Sequence, residues 1–147
     1  MLWIMKEIVL GIWLGVQGVI DWRYKEIPFW FSLLGGVVGV CFCVIEERRY
    51  TDVILACIPG VLVLIIAKLT KEIIGYGDGI VLLAMGFYLS LEALISVWML
   101  AFMIAGMAAL ILLIVFRKNG NYRIAFLPFL LSSYFIDWWI RYGGKVC

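Results

Sequence analysis

Long apolar runs, separated by short polar stretches, set the pattern of this chain. Runs of this kind are typical of helices that cross a bilayer, because about 20 apolar residues are needed to span its hydrocarbon core as a helix. The pattern predicts an all-α fold with six transmembrane helices. Their expected positions are residues 2–20, 29–45, 53–69, 78 to 90 or 91, 93–116 and 124–140.

The polar stretches indicate where these helices begin and end. Pro28 opens the second span, at a helix start where a missing N–H is tolerated. Thr51 or Asp52 is placed to cap the third span. The fourth span has only about 15 residues, fewer than a crossing helix needs. We therefore expect the glycine-rich segment 75–79 to be irregular and to dip into the membrane, with Asp78 below the surface at a helix N-terminus.

The amino-acid composition is typical of an integral membrane protein. Hydrophobic residues make up 66% of the 147 positions, charged residues 15%, and the mean hydropathy is +1.11. A soluble domain of this size cannot bury so much apolar surface, so lipid is the expected solvent and residues 1–147 form one membrane-embedded domain. The net charge of +2 is spread along the chain, so no cluster of basic residues indicates a nucleic-acid-binding surface. With no His and no CxxC pair among four cysteines, we expect no metal site.

The first run is also long enough for a signal peptide. A balanced Lys6-Glu7 pair at its start and no small-residue cleavage site after it favour a membrane span instead. The first, third and fifth connections then lie on one side with seven Lys and Arg, and the other side holds five. The positive-inside rule predicts a multi-pass cell-membrane protein whose odd-numbered connections are cytoplasmic and whose termini are both outside.

In this topology two aspartates lie on the cytoplasmic side, Asp21 at the exit of the first span and Asp78 at the entrance to the fourth. An ionisable side chain at membrane depth is costly and by default faces a partner, water or a substrate. Two carboxylates within hydrogen-bonding reach share one proton near neutrality. One can then take a proton from water while the other donates one to a scissile carbonyl. The pair indicates aspartic-protease chemistry.

The segments around these aspartates are similar to those of a known family. They comprise Asp21 with Ile27-Pro28 after it, the Gly-Tyr-Gly-Asp motif at 75–78, Ala84, Gly86 and the Pro-Phe-containing segment 124–130. In order and spacing, over nearly the whole chain, they resemble the type IV prepilin peptidases, membrane aspartyl proteases of the GxGD type. Presenilin-type proteases share Gly-x-Gly-Asp, but the 21–28 context does not look like theirs.

The resemblance implies that Asp21 and Asp78 are the catalytic pair, that Gly75 and Gly77 shape the second site, and that no metal or organic cofactor takes part. It implies a prepilin or pseudopilin precursor as substrate, cut at the cytoplasmic membrane face just before its hydrophobic helix. Phe29 stands where the family usually has Asn, and 79–81 lacks a common Lys, which bears on substrate recognition more than on chemistry. A segment with paired cysteines, present in larger N-methylating members, is not found here, so methylation is not expected.

Other residues are candidates for shaping the site or binding substrate. Gln17 lies one turn before Asp21, where it can orient the carboxylate or make a helix–helix polar contact. Glu26 and Glu72 suit a basic leader peptide, with plain solvated loop residues as the alternative. Asp21 can also pair with Lys25 at i+4 as an ordinary helix end. The full candidate set is Gly75, Gly77, Gln17, Lys25, Pro28, Glu26 and Glu72.

Small residues predict close helix packing in two spans, at Gly35, Gly36 and Gly39 in the second and at Gly106 in the fifth. The same residues leave a homo-oligomer open. Two other functions also stay open. A proton-coupled carrier subunit would use Asp78 as a relay, although such carriers often show an internal repeat. A non-catalytic membrane assembly factor on the same fold is the second, although a retained aspartate pair argues against it.

Overall fold

The structure, a computed structural model, describes residues 1–70, 75–116 and 124–143, and within these ranges it contains helices and no strand. The all-α prediction is confirmed for this part of the chain. The helices are α1 Leu2–Tyr24, α2 Phe29–Ile45, α3 Tyr50–Leu69, α4 Tyr76–Tyr88, α5 Leu91–Ile114 and α6 Leu127–Trp138, and a short π-helical segment, Trp139–Gly143, follows α6.

Helix length separates these elements into two groups. Among the described residues, α1, α3 and α5 are long and apolar enough to cross a membrane, with 23, 20 and 24 residues. At 1.5 Å per residue they are about 34, 30 and 36 Å long, against a hydrocarbon core of about 30 Å. α2 is apolar but has 17 residues, while α4 and α6 have 13 and 12. Length and composition therefore support several apolar membrane helices but fewer outright spans than the six predicted.

Some helix ends differ from the prediction. α2 has the predicted bounds, but α3 begins at Tyr50, so Thr51 and Asp52 lie inside its first turn and do not cap it. Its N-cap is Arg49, which makes no side-chain capping hydrogen bond. α5 begins two residues early, and Ser90 caps it by accepting the backbone N–H of Ala93 at 3.4 Å.

The short helix α4 occupies the centre of the bundle. It packs mainly against α3 and α2 and also contacts α1 and α5, while α6 packs against α5 and α1. Most of its residues are buried, whereas α5 buries only four residues, all in its first half. The core side chains accordingly come from α4 and the faces turned toward it; they include Leu10, Leu14, Val81, Met85, Tyr88, Leu94 and Val97.

Small residues let the central helices approach closely. A Cβ added at Gly60 of α3 would lie 2.5 Å from the backbone N and Cα of Leu83 in α4, so these two helices meet backbone to backbone. In α2, an added Cβ would overlap the Trp13 ring at Gly35 and the Tyr88 ring at Gly39. The packing prediction is thus confirmed for Gly35 and Gly39, whereas a Cβ at Gly36 would make an ordinary contact with Cβ of Ala84 at 3.8 Å. The prediction is wrong for Gly106, where an added Cβ meets nothing within 4 Å among the described residues.

Arg48, in the connection between α2 and α3, closes the C-terminal end of α4. Its guanidinium donates to the carbonyl oxygens of Phe87 at 2.9 Å and Leu89 at 3.1 Å. The last carbonyls of a helix have no partner within the helix, and in a membrane they need one from elsewhere. Arg48 therefore satisfies the end of a helix that stops after 13 residues.

Polar contacts also fasten the neighbouring helices at this end of the bundle. Lys6 of α1 forms an ion pair with Glu46 at 2.8 Å. The Tyr134 hydroxyl of α6 donates to the buried carboxylate of Glu7. The Ser96 hydroxyl of α5 donates to Asp137, which also pairs with Arg141. These contacts lie far from the opposite end, where α1 ends and α4 and α6 begin.

Candidate active site

Asp21 lies in the last turn of α1, which continues to Tyr24 rather than ending at residue 20 as predicted. The side chain is buried, with 6% of its surface exposed. Its Oδ2 accepts the backbone N–H of Leu127, the first residue of α6, at 3.0 Å. Lys25 ends α1 in a left-handed conformation, φ 53°, and its N–H donates to the Asp21 carbonyl at 2.8 Å. Asp21 is thus fixed between the end of α1 and the start of α6.

Asp78 lies in the first turn of α4 and is half-buried. The prediction of a helix N-terminus is confirmed, but the prediction of an irregular segment at 75–79 is wrong. Gly75 is the extended N-cap, with φ −64° and ψ 133°, and the helix runs from Tyr76 onward. No glycine in the described part of the chain has a positive φ.

The structure brings the two aspartates into one site. The end of α1 and the start of α4 lie together, because Ile27, six residues after Asp21, packs against Gly77, the residue before Asp78. The two carboxyl groups are near enough for their charges to interact. They reach this position from different helices, one from the end of α1 and one from the start of α4. Because the chain between them includes two complete helices, the pairing depends on the bundle as a whole.

The two glycines of the motif have different surroundings. A Cβ at Gly77 would lie 2.7 Å from Cβ and Cδ1 of Ile27, which belongs to the connection between α1 and α2. Only a residue without a side chain fits there unless the connection moves. A Cβ at Gly75 would meet Oδ2 of Asp78 at 3.5 Å, an ordinary contact. Gly77 therefore permits close packing of the connection on α4, and Gly75 leaves space beside the carboxylate.

Gln17 makes the helix–helix contact rather than the contact with Asp21. It is fully buried, and its Nε2 donates to the Ser32 hydroxyl of α2 at 2.8 Å. Its Oε1 has no hydrogen-bond partner among the described residues. Within those ranges the predicted hydrogen bond from Gln17 to the Asp21 carboxylate is not formed.

The remaining candidates lie in or near the connection between α1 and α2. Pro28 is the N-cap of α2, and its carbonyl accepts the Ser32 N–H at 3.1 Å. Lys25 and Glu26 are exposed. Glu72 lies outside the described residues. The structure therefore places Lys25, Glu26 and Pro28 at the same end of the bundle as the aspartates.

A groove of about 460 Å³ lies between α1 and α6, but not at the aspartates. It is lined by apolar side chains and by Glu7 and Tyr134. Glu7 precedes Asp21 by 14 positions, which is about 21 Å along a helix. The groove therefore belongs to the other end of the bundle and does not hold a peptide bond near the carboxylates.

Three residues at this site are absent from the sequence candidates: Leu127, Ile27 and Ser32. Leu127 acts through its backbone N–H, which every residue except proline carries, so no residue type marks it. The Pro-Phe pattern after it identified the right segment but not this contact. Ile27 precedes Pro28 and Ser32 lies one turn after it, and only their packing partners distinguish them from other apolar and small residues in the run.

The chain was compared with known proteins. A model described as the type IV leader peptidase family matches residues 8–114. This range contains both aspartates and all or most of helices α1 to α5, and it ends before α6. Neither a curated protein nor a solved structure matches the chain.

Proposed function

Because the chain belongs to the type IV leader peptidase family, we propose that it is a membrane aspartic endopeptidase. It removes the basic leader peptide of type IV prepilin-like or pseudopilin precursors. The observation that carries the proposal is the pair formed by Asp21 and Asp78, the first held by the Leu127 N–H and the second in the first turn of α4. A carboxylate pair at the end of an apolar helix bundle, one member buried and the other half-buried, suits proton transfer in a site where bulk water is restricted.

In the proposed mechanism one water molecule lies between the two carboxyl groups. The ionised carboxylate takes a proton from this water, and the oxygen attacks the carbonyl carbon of the scissile peptide. The protonated carboxyl donates its proton to the carbonyl oxygen, which gives a neutral tetrahedral intermediate. Collapse of the intermediate breaks the C–N bond, with a proton passed to the leaving amine. The Leu127 N–H holds Oδ2 of Asp21 in place for this chemistry.

The proposed membrane arrangement has six spans in a single domain, with the aspartates on the cytoplasmic side and both termini outside. Its support is the distribution of Lys and Arg among the connections. The position of α4 inside the bundle also supports it, since a helix enclosed by protein need not match the bilayer thickness. The hydrophobic helix of the precursor then enters laterally, with its leader at the cytoplasmic surface.

Recognition of a basic leader requires negative charge near the aspartates. We propose that Glu26 and Glu72 supply it, supported by the exposure of Glu26 beside the end of α1. Reversing both charges to Lys is expected to raise the apparent KM for a precursor several-fold with little change in kcat. Glu47→Lys is the control, because Glu47 is exposed in the connection between α2 and α3. Equal KM values for the double variant and the wild type would contradict this assignment.

The proposal is tested by co-expressing a prepilin-like precursor with the wild type, Asp21→Asn or Asp78→Asn at matched membrane levels. We expect the leader to be removed by the wild type and by neither variant. Loss in only one variant would contradict the paired mechanism. If the wild type cleaves none of several leader types, the protease proposal fails and a carrier or assembly role becomes the function to pursue.

A further inference from the structure

Two buried polar side chains near the aspartates take no part in the mechanism above. Gln17 has none of its surface exposed and Ser32 has 1%, and the Gln17 Nε2 donates to the Ser32 hydroxyl at 2.8 Å. Polar side chains within apolar helices are costly unless they are hydrogen-bonded. This bond joins α1 to α2 close to the end of the bundle that carries Asp21 and Asp78.

The contact continues from α2 into the connection before it. The Ser32 hydroxyl donates to the carbonyl of Pro28 at 3.2 Å, and the Ser32 N–H donates to the same oxygen at 3.1 Å. A carboxamide, a hydroxyl and a carbonyl thus form a chain of hydrogen bonds from the second half of α1 to Pro28, the last residue of the connection. The position of Pro28 relative to α1 is fixed by this chain.

Ile27 connects Pro28 to the helix turn that bears the second aspartate. A residue before proline is restricted to extended conformations, so the location of Ile27 follows that of Pro28. Its side chain packs on Gly77 with no room for a Cβ between them, and Asp78 is the next residue. Any shift of the connection therefore moves the first turn of α4.

We propose that Gln17 and Ser32 are positioning residues that set the separation of the two aspartates. α1 carries Asp21 one turn after Gln17. The same helix holds the turn that bears Asp78, through Ser32, Pro28 and Ile27 in succession. One rigid helix thereby fixes both carboxylates. The proposal depends on the protease function for its kinetic test, and a second test is independent of activity.

The kinetic test compares Ser32→Ala with Ser32→Thr, which keeps the hydroxyl. A displacement of about 1 Å in a catalytic group costs up to roughly a hundredfold in rate, so we expect Ser32→Ala to lower kcat tenfold or more with little change in KM. Ser32→Thr is expected to recover most of the rate. The matched control is Ser132→Ala, because the exposed Ser132 of α6 makes the same bond to Pro128 four residues earlier without joining another helix.

A double variant tests whether the two side chains act together. If Gln17 acts through Ser32, Gln17→Leu combined with Ser32→Ala should lose no more rate than the more affected single variant. Independent losses that multiply would overturn the proposal. So would wild-type kcat in Ser32→Ala, or an equal loss in Ser132→Ala. In each case removal of the leader by the wild type would leave the protease function intact.

The second test measures the separation without catalysis. With the native cysteines replaced by serine, Asp21→Cys and Asp78→Cys are combined and oxidised with copper phenanthroline, which joins thiols within reach. We expect Ser32→Ala to slow disulfide formation several-fold and Ser132→Ala to leave it unchanged. Equal rates in these two backgrounds would overturn the proposal. No disulfide in the parent would do so as well, since the pair would then not be held close.

Discussion

The Asp21 side chain combines a structural contact with a charge. Its Oδ2 accepts the N–H of Leu127, 106 residues further along the chain, and its charge acts on Asp78. The contact joins α1 to α6, whereas the charge interaction is a repulsion between like groups on α1 and α4. A substitution that removes only the charge should abolish the proposed chemistry and leave the fold stable. A substitution that also removes the hydrogen bond to Leu127 should lower stability as well.

Asn and Ala at position 21 should separate these properties. Asn keeps an oxygen that accepts the Leu127 N–H, whereas Ala leaves that buried N–H without a partner, at a cost of about 1 to 3 kcal/mol. Both variants are expected to be inactive, but only Asp21→Ala should show a lower midpoint of thermal unfolding in detergent. An equal decrease in both variants would show that the Leu127 bond contributes little to stability.

At this scale the sequence predicts side-chain chemistry better than contacts. Asp21 and Asp78 were identified because an acidic residue in an apolar chain is costly and therefore noticeable. The hydrogen-bond partner of Gln17 is not identifiable in this way, because an amide bonds equally well to a carboxylate or to a hydroxyl. Only the placement of α2 selects Ser32. The contact between Ile27 and Gly77 depends on the path of the connection, which neither residue type specifies.

Among the helices, α4 depends on a side chain from outside for its C-terminal end. Arg48 bonds the carbonyls of Phe87 and Leu89. Arg48→Met should leave the Leu89 carbonyl unpaired and the Phe87 carbonyl with only the weak thiol donor of Cys43, at 2.9 Å. Hydrogen bonds from a charged donor contribute about 1.5 to 3 kcal/mol each. We expect a loss of about 2 to 4 kcal/mol in the free energy of unfolding, measured by denaturant titration in mixed micelles.

Arg49→Met provides the control for this measurement. Arg49 is the neighbouring residue, equally basic, and exposed at the start of α3. Its replacement should change stability by less than about 0.5 kcal/mol, as surface substitutions usually do. Similar losses in both variants would indicate a general effect of charge rather than an effect on the end of α4.

The close contact between α3 and α4 predicts opposite outcomes for two glycines. Ala at Gly60 places a methyl group against the backbone of Leu83, which no rotamer change relieves, so the helices must separate at a cost of about 3 kcal/mol. Ala at Gly106 of α5 meets nothing within 4 Å among the described residues and should be neutral or stabilising by up to about 1 kcal/mol. Thermal unfolding of the two variants checks both values, and equal midpoints would contradict the packing described.

Helix positions were predictable where sequence signals are strong. The bounds of α2 were predicted correctly because Pro28 and the charged residues after Ile45 mark its ends. The start of α4 differs from the prediction, because glycines often interrupt a helix, whereas here its first turn accepts them and packs against Ile27. Helix packing was predicted correctly for two of the three glycines in the second span and wrongly for Gly106, since small residues permit close approach without requiring it.

For the whole molecule, the distribution of Lys and Arg predicts the orientation in the membrane. Cysteine labelling tests it in a background without the native cysteines. Glu26→Cys lies in the connection after α1 and Glu47→Cys in the connection after α2, and both positions are exposed. With a membrane-impermeant maleimide on intact cells, we expect Glu47→Cys to react and Glu26→Cys to react only after the cells are opened. The reverse pattern would invert the topology.

The enclosure of α4 by four other helices has a consequence for hydrophobic mismatch. α1, α3 and α5 expose apolar side chains and must tilt or deform the lipid when the bilayer is thinner or thicker than they are. α4, with most of its surface covered by protein, is not subject to that adjustment. Its 13 residues measure about 20 Å, and Ile27 and Arg48 fix its two ends. The depth of Asp78 is therefore set by the bundle, and the geometry of the aspartate pair should be the same in membranes of different thickness.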